Sequence, residues 1–536
     1  MKGKNKEHIA LIVLVSVLAL AVAALLLVVL RFHIVDFKLY PKNAQVLDLT
    51  QKDITVEHYE KIAAALPDCE IHWNVPFQGK TVEDDVTELT VTELTKADVE
   101  SLRYLPELRK IDARDCQDYE ALMYLCEQLP QVEVDYRLLV SGVYYGPETD
   151  VVQVDSATRE EILSLQYLPK LTKVVACGGP EQSDYAPLRN FCLNTGLEFF
   201  VSIGDQEIPY ESPAQLTVEG MTEEEAYLLQ FLKGFASLHL VKPTASAQTV
   251  TALRQQYPDA DITWEVEMAG KLYPDTTTEV DLSQLVVEDL SQVENAMGYF
   301  PDAKLLILGL CGIDNPEWGN SKMDKKLAVS LIDNEAIAEF RDRVKEQYKV
   351  VWTVRLGPHI ALRTDADNFM PNHFGVGRLP DDYAYNLRYC IDMVCLDLGH
   401  MTVTHIDFVQ YMPKLKYLIL AWTNVKYIEP IRNCKELIFI ELDNSAIRDI
   451  APLADCPKLE DLNIGNAWPE VDGILGMTWL KNVYMIFGSR ADAWKISQAL
   501  PDTRVVTSGN ATVGGNWRRM KNYYDMRDML HAPYMN

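Results

Sequence analysis

Two stretches near the C-terminus decide the fold: LKYLILAWTNVKYIEPI at 415–431 and LIFIELDNSAIRDIAPL at 437–453. The first begins at Leu415 and the second at Leu437, and apolar residues occupy matching places in both. The same 22-residue spacing continues in both directions, and such regularity predicts a repeat array. Two apolar series follow this period. The first is Leu396, Leu418, Ile440, Leu462 and Tyr484, and the second, two residues later in each repeat, is Leu398, Leu420, Leu442, Ile464 and Ile486.

The spacing within each repeat indicates one short strand followed by a return path. Side chains alternate along a strand, so two leucines separated by one residue point to the same side. A single turn cannot bury that apolar side, and neighbouring turns must therefore stack. We predict an α/β solenoid with parallel strands on its concave face and with helices and turns on its convex side.

The N-terminal half repeats with a longer, 64-residue period. The stretches LPDCEIHWNV (66–75), LPQVEVDYRL (129–138) and YPDADITWEV (257–266) are versions of one phrase. An amphipathic segment with apolar residues three and four apart precedes each phrase, which is typical of a helix. We predict a unit of strand, helix, strand and strand. One series that shares the period is Leu47, Ile111, Val174 and Leu238.

Two stretches, 312–327 and 357–388, interrupt the rhythm and are rich in Gly, Pro, Asn and Asp, which predicts loops. Such insertions either carry function or join two classes of repeat. The predicted division of the chain is a cytoplasmic N-terminus (1–8), a transmembrane helix (9–30), a linker (31–42), 64-residue repeats (43–311), irregular repeats with loop insertions (312–392), 22-residue repeats (393–507) and a basic, aromatic C-terminal cap or tail (508–536).

The N-terminus predicts a membrane anchor. Lys2, Lys4 and Lys6 precede an unbroken apolar run at 9–30, whose only polar side chain is Ser16. As a helix this run is roughly 33 Å long, enough to cross a bilayer core. The positive-inside rule places the lysines in the cytoplasm and the repeats outside the cell. The alternative is a cleaved signal peptide, although such apolar regions are usually shorter.

The charge of the chain restricts its partners. The 536 residues include 50 Lys and Arg against 78 Asp and Glu, a formal charge of −28. Strong acidity argues against sequence-independent nucleic-acid binding and disfavours lying on anionic lipid. Residues 1–30 hold three lysines and one glutamate, so the remaining chain carries −30. The local exception is the C-terminal tail, with Arg518, Arg519, Lys521 and Arg527 among aromatic residues.

The repeats quoted above resemble those of bacterial cell-surface leucine-rich-repeat proteins of the internalin type. The chain as a whole, including RTDADNF (363–369), MVCLDLGHM (393–401) and YYDMRDML (523–530), is similar to membrane-anchored repeat proteins of anaerobic Gram-positive bacteria. The resemblance covers nearly all of 43–536 and implies an extracellular solenoid. One departure concerns the asparagine that usually orders each turn, because Met401, Thr423, Ser445 and Ala467 stand there.

The sequence shows no catalytic motif, so we predict a protein that is not an enzyme and needs no cofactor or metal. Zinc and nucleotide-binding signatures are absent, and His400 and His405 have the wrong spacing for a helical zinc pair. A calcium site at Asp443 and Asp461 has no supporting pattern. Ten cysteines without a C-x-x-C motif indicate buried thiols, with pairing of Cys434 and Cys456 left open.

The predicted binding surface is the concave face of the 22-residue repeats, where aromatic residues stand beside carboxylates. We expect a protein, peptide or glycan partner, membrane contact through the N-terminal helix, and no nucleic acid. The alternatives are an envelope scaffold without a dissociable ligand and an enzyme with its site in the 312–388 insertion, near Asp365 and His373. The candidate contact residues are Asp397, His400, Tyr417, Ile419, Trp422, Phe439, Glu441, Asp443, Asp461 and Asn463.

Overall fold

The computed structural model describes residues 4–178, 184–211, 213–312, 328–357, 360–374, 377–509 and 517–532. The chain forms two compact units, Met1–Ser237 and Leu238–Asn536.

The first unit contains helices α1 Lys4–Arg31, α2 Val56–Ala65, α3 Lys96–Leu102, α4 Tyr119–Gln128, α5 Arg159–Ser164, α6 Ala186–Thr195 and α7 Glu223–Leu228. Its strands are β1 Phe32–Val35, β2 Lys38–Pro41, β3 Val46–Asp48, β4 Glu70–His72, β5 Asn74–Phe77, β6 Lys80–Glu83, β7 Glu88–Thr90, β8 Lys110–Asp112, β9 Glu133–Asp135, β10 Leu138–Val140, β11 Val143–Tyr145, β12 Val151–Val154, β13 Lys173–Ala176, β14 Glu198–Ile203, β15 Gln206–Pro209 and β16 Gln215–Glu219.

Strand β17, Ser237–Val241, begins at the division. The second unit continues with helices α8 Ala247–Gln256, α9 Leu290–Met297, α10 Asn334–Val344, α11 Asp381–Ala384, α12 Arg490–Ala499 and α13 Lys521–Met529. Its strands are β18 Asp261–Met268, β19 Lys271–Pro274, β20 Glu279–Leu282, β21 Leu305–Leu310, β22 Lys349–Gly357, β23 Ile360–Arg363, β24 Asn368–Phe369, β25 Cys395–Asp397, β26 Tyr417–Ile419, β27 Phe439–Glu441, β28 Asp461–Asn463, β29 Asn482–Tyr484 and β30 Arg504–Val506.

Helix α1 is long and apolar enough to cross a membrane over His8–Arg31, and none of its apolar window is buried. A signal sequence near an N-terminus has the same properties. Residues 31–42, predicted as a linker, are instead ordered as a hairpin of β1 and β2.

The 64-residue module contains one more helix than the sequence predicts. In β12–β15, three parallel strands alternate with helices α5 and α6, and an antiparallel strand ends the sheet. β20–β23 repeat this order with α9 and α10. The parallel ladder is therefore divided into short sheets here.

Three helices that were not predicted from the sequence, α3, α5 and α7, begin at capping boxes. Thr95, Thr158 and Thr222 each accept a hydrogen bond from the backbone N–H three residues later, and the acidic side chain there bonds back. These threonines recur at the period of the module, so the T-x-x-D/E signal was present in the sequence.

The 22-residue repeats form one parallel sheet of seven strands, β24–β30. Leu396, Leu418, Ile440 and Leu462 lie opposite one another in successive strands, which confirms the predicted register. The return paths from β25 to β29 each carry a 3₁₀ helix, namely Asp407–Tyr411, Glu429–Asn433, Ala451–Asp455 and Val471–Ile474. The path from β29 to β30 carries α12 instead. This is a leucine-rich-repeat architecture.

The last step of the predicted register is wrong by one residue. Val483, not Tyr484, lies opposite Leu462, because that turn is one residue shorter than the turns before it. A one-residue shift reverses the side of every following side chain. Val483 therefore enters the leucine core, and Tyr484 faces the other side of the sheet.

The described part of the predicted loop 357–388 is largely ordered, since β23, β24 and α11 fall within it. Strand β24 pairs with β25, so the parallel sheet starts before residue 393. The predicted loop 312–327 lies outside the described residues except for Gly312.

Stacking of the return paths makes Gly473→Ala destabilising. A Cβ at Gly473 would lie 2.5 Å from the Cα of Ala451, one turn earlier. We expect a loss of about 1–3 kcal/mol in the free energy of unfolding, as for overpacked cores, measured by denaturant titration. Gly476→Ala is the matched control, because nothing lies within 4 Å of its Cβ position. Equal stability of the two variants would contradict this packing.

Candidate functional site

The predicted contact residues lie on or beside the face of β24–β30 that points away from the leucine core, here called the ladder face. Contrary to expectation, most of this face is inaccessible to solvent. The eight buried members are Asp397, Tyr417, Ile419, Phe439, Glu441, Asp443, Asp461 and Asn463. His400 and Trp422 remain exposed. Whether any of the ten contacts a partner stays a prediction.

The cover is the chain's own C-terminus, residues 517–532, here called the closing segment. Its Trp517 stacks on Phe439, with ring centroids 4.6 Å apart, and meets Tyr484 edge-on at 5.0 Å. Helix α13 adds Tyr523 and Met526, which are buried in the same cluster. Apolar residues three and four apart give α13 one apolar side, as a packed helix requires.

Polar groups of the closing segment match acceptors on the ladder face. The indole Nε1 of Trp517 donates to Oε2 of Glu441 at 2.8 Å. The amide of Asn522 donates to Oδ2 of Asp461 at 2.7 Å, while Asn482 donates to its other oxygen at 2.7 Å. Both Asp461 oxygens are thus engaged by amides. Among the described residues, no group of three metal-ligand side chains is found.

Burial changes the acidity of this face. Desolvation raises the pKa of Glu441 to about 7, with Asp397 and Asp443 adding repulsion and the Trp517 hydrogen bond opposing the shift. Desolvation likewise raises the pKa of Asp443 to about 6 and raises the pKa of Asp397 and of Asp461. The closed face therefore favours protonated carboxyls.

A second set of side chains remains exposed where the strands end. Five residues at equivalent places, here called the turn row, have a left-handed backbone with φ between 50° and 66°. They are His400, Trp422, Asn444, Asn466 and Phe487. Each of the first four donates its backbone N–H to a carbonyl of the next turn at 2.9 Å.

The side chains of the turn row also interact along the stack. The His400 and Trp422 rings stack with centroids 5.7 Å apart, and Asn466 donates to the side-chain oxygen of Asn444 at 2.8 Å. Trp422 is 51% exposed and Phe487 is 63% exposed. Nearby Trp468 is also exposed with positive φ. Phe487 and Trp468 were not among the predicted contact residues. Their signal in the sequence is an aromatic residue shortly after an apolar strand.

The residues that replace the usual asparagine do not prevent regular turns. Thr423 is buried, and its hydroxyl donates to the Leu420 carbonyl at 2.8 Å. Met401 and Ala467 fill the same place with apolar groups.

The cysteines Cys434 and Cys456 are free, and each thiol donates to a carbonyl of the preceding turn, at 3.6 and 3.5 Å. Near the insertion, both oxygens of Asp365 bond to Arg363. The side chain of His373 lies outside the described part of the chain.

Known proteins resemble the chain only distantly. No family model and no curated protein matches the chain. Among solved structures, internalin C2 of Listeria monocytogenes is 15% identical, covering 32% of this chain and 81% of its own, with a TM-score of 0.21. Internalin InlF of the same species is 13% identical, covering 65% and 82%, with a TM-score of 0.22.

A third structure, a TLR13–ssRNA13 complex, is 12% identical, covering 83% of this chain and 68% of its own, with a TM-score of 0.20. These similarities are too weak to transfer a function. The leucine-rich-repeat assignment stands on the register of β24–β30 itself.

The raised pKa of Glu441 makes closure pH-dependent. A raised folded-state pKa contributes stability that is full below the ordinary value near 4.5 and is lost as the pH rises through about 7. We expect amide-exchange protection of 521–529, corrected for intrinsic rates, to fall between pH 5 and pH 8. One pKa unit corresponds to a tenfold change in an equilibrium constant, so Glu441 can account for up to about a hundredfold of the fall in protection. Glu441→Gln should abolish that part of the fall.

Glu436→Gln is the control, because this exposed carboxylate pairs with Lys458 at 2.6 Å away from the closing segment. An unchanged pH dependence in Glu441→Gln would show that Glu441 does not govern closure.

Proposed function

We propose that the chain is a membrane-anchored, extracellular binding protein whose partner is a protein, a peptide or a glycan. Helix α1 serves as the anchor, with Lys2, Lys4 and Lys6 in the cytoplasm and the repeats outside. The turn row, together with Trp468, makes the first contact with the partner. Eight of the predicted contact residues join it only if the closing segment leaves the ladder face.

The observation that carries this proposal is the exposure of aromatic side chains on an unfavourable backbone. Asparagine tolerates the left-handed region, as at Asn444 and Asn466, whereas a bulky residue there costs roughly 1–2 kcal/mol. At Phe487 the ring is mostly in solvent, so little burial offsets that cost. Trp422 is half exposed, and its stacking on His400 offsets part of the cost. Tryptophan and other aromatic residues are enriched in the contact centres of protein interfaces.

Substitution of Phe487 separates binding from folding. Phe487→Asn removes an exposed ring and installs the residue that the neighbouring turns carry. We expect the free energy of unfolding to stay equal or to rise by up to about 1 kcal/mol. Capture of partners by the full chain on intact cells should fall at least about tenfold, the effect of losing a contact worth roughly 1.4 kcal/mol.

Trp494→Asn is the matched control, since Trp494 is similarly exposed but lies on helix α12. Equal capture by Phe487→Asn and the unchanged chain would remove the turn row from the proposal.

The scaffold alternative has one observation in its favour: the closing segment already fills the ladder face. A scaffold would be recovered in a stable complex of fixed stoichiometry that Phe487→Asn leaves intact.

The location is tested by fractionation. We expect the full chain to stay with membranes through alkaline carbonate extraction, because a helix of this length is insoluble outside a bilayer. External protease on intact protoplasts should digest the repeats. Release of a chain that starts after residue 30 would instead identify a cleaved signal peptide.

A further inference from the structure

The hairpin of β1 and β2 is fixed at the end of α1. No residue separates Arg31, the last of the helix, from Phe32, the first of the strand. The backbone N–H of Lys42 returns to the Arg31 carbonyl at 2.8 Å. If α1 spans the membrane, this bond holds both ends of the hairpin close to the bilayer surface.

The two sides of the hairpin differ in their surroundings. On one side Val35 and Tyr40 are buried, and the Tyr40 hydroxyl bonds to Nε2 of His58 in α2 at 2.9 Å. At the turn, Asp36 binds the other nitrogen of His58 at 2.8 Å and Lys61 at 3.3 Å. The hairpin is therefore held on the folded unit by one side only.

The opposite side presents apolar groups without a cover in the described chain. Ile34 and Leu39 lie directly across from each other and are 54% and 50% exposed. Phe37, at the tip, is fully exposed. The basic residues Arg31 and Lys42 flank the base of the hairpin in sequence, where phosphate groups of lipid would attract them. Lys38 lies across from Val35 and so belongs to the other side.

The tip is built differently from the hairpins of the repeats. Both turn residues, Asp36 and Phe37, have positive φ, at 46° and 65°. In the hairpins β5–β6, β10–β11 and β18–β19 the second turn residue is Gly79, Gly142 and Gly270. Glycine adopts this conformation without cost, whereas phenylalanine is strained and here gains no burial within the chain.

We propose that the side of the hairpin formed by Ile34, Phe37 and Leu39 inserts into the outer leaflet of the membrane that α1 spans. This interaction surface rests on the proposed anchor, and its partner is lipid. The chain is acidic as a whole, but this surface combines apolar side chains with neighbouring cations, as interfacial membrane contacts do. Insertion would fix the direction in which the first repeats leave the membrane.

The test uses the full chain in nanodiscs of phosphatidylcholine and phosphatidylglycerol. A photo-crosslinking amino acid replaces Phe37, and separate samples carry it at Ile34, at Leu20 within α1, and at Val143. Val143 is the matched control, because it is 50% exposed on the repeat hairpin β10–β11. Burying a phenylalanine side chain favours insertion by at least about tenfold. We therefore expect about tenfold more lipid adduct at position 37 than at position 143.

The Leu20 sample distinguishes the two possible failures. Strong lipid adducts at position 20 with equal, low yields at 37 and 143 would overturn the hairpin proposal and leave the anchor standing. Low yields at position 20 would overturn the anchor and, with it, the hairpin contact. Phe37→Gly should relax the turn and lower the lipid adduct at position 34. An unchanged yield there would contradict the role of the Phe37 ring.

Discussion

The hydrogen bonds that join each turn to the next constrain everything else in the 22-residue repeats. Leu398 donates to the Ile419 carbonyl, Leu420 to Glu441 and Leu442 to Asn463, at 2.7–2.9 Å. Parallel pairing at constant spacing places equivalent residues above one another. A residue that suits one turn must therefore suit its neighbours, whether it is a core leucine, a thiol or a left-handed turn residue.

The same constraint creates the problem that the closing segment resolves. Stacking places Asp397, Glu441 and Asp461 on one side of a narrow sheet, next to the rings of Tyr417 and Phe439. Those rings gain from burial, whereas the carboxylates lose hydration. A cover that brings Trp517 and Asn522 buries the rings and supplies donors to two of the acids. The remaining cost of desolvation appears as the raised pKa values of the buried carboxyls.

The sequence predicts the core better than it predicts the surface. Leucine spacing is local, and it located β25–β28 and their register correctly. The turn before β29 has one residue fewer. The sequence signal for this was the spacing of Leu459 and Leu480, which are 21 residues apart instead of 22. Burial of the ladder face depends on Trp517, which lies 76 residues after Glu441. The repeat pattern gives no signal for that contact. For this reason the sequence places at the surface eight residues that are in fact buried. The helices α3, α5 and α7, by contrast, could have been predicted, because their capping boxes are local sequence motifs.

Two distant parts of the chain share one unusual feature. Phe37 at the hairpin tip, and Trp422 and Phe487 in the turn row, combine a left-handed backbone with an exposed aromatic ring. Equivalent places hold Gly79, Gly142 and Gly270 in the hairpins of the repeats and Asn444 and Asn466 in the turn row, so the fold does not demand an aromatic residue there. Phe37 and Phe487 gain little from folding because their rings stay in solvent, whereas Trp422 recovers part of the cost by stacking on His400. We infer that contact with something outside the chain compensates for the strain at Phe37 and Phe487. The contacts proposed above are the bilayer next to α1 and a partner along the turn row.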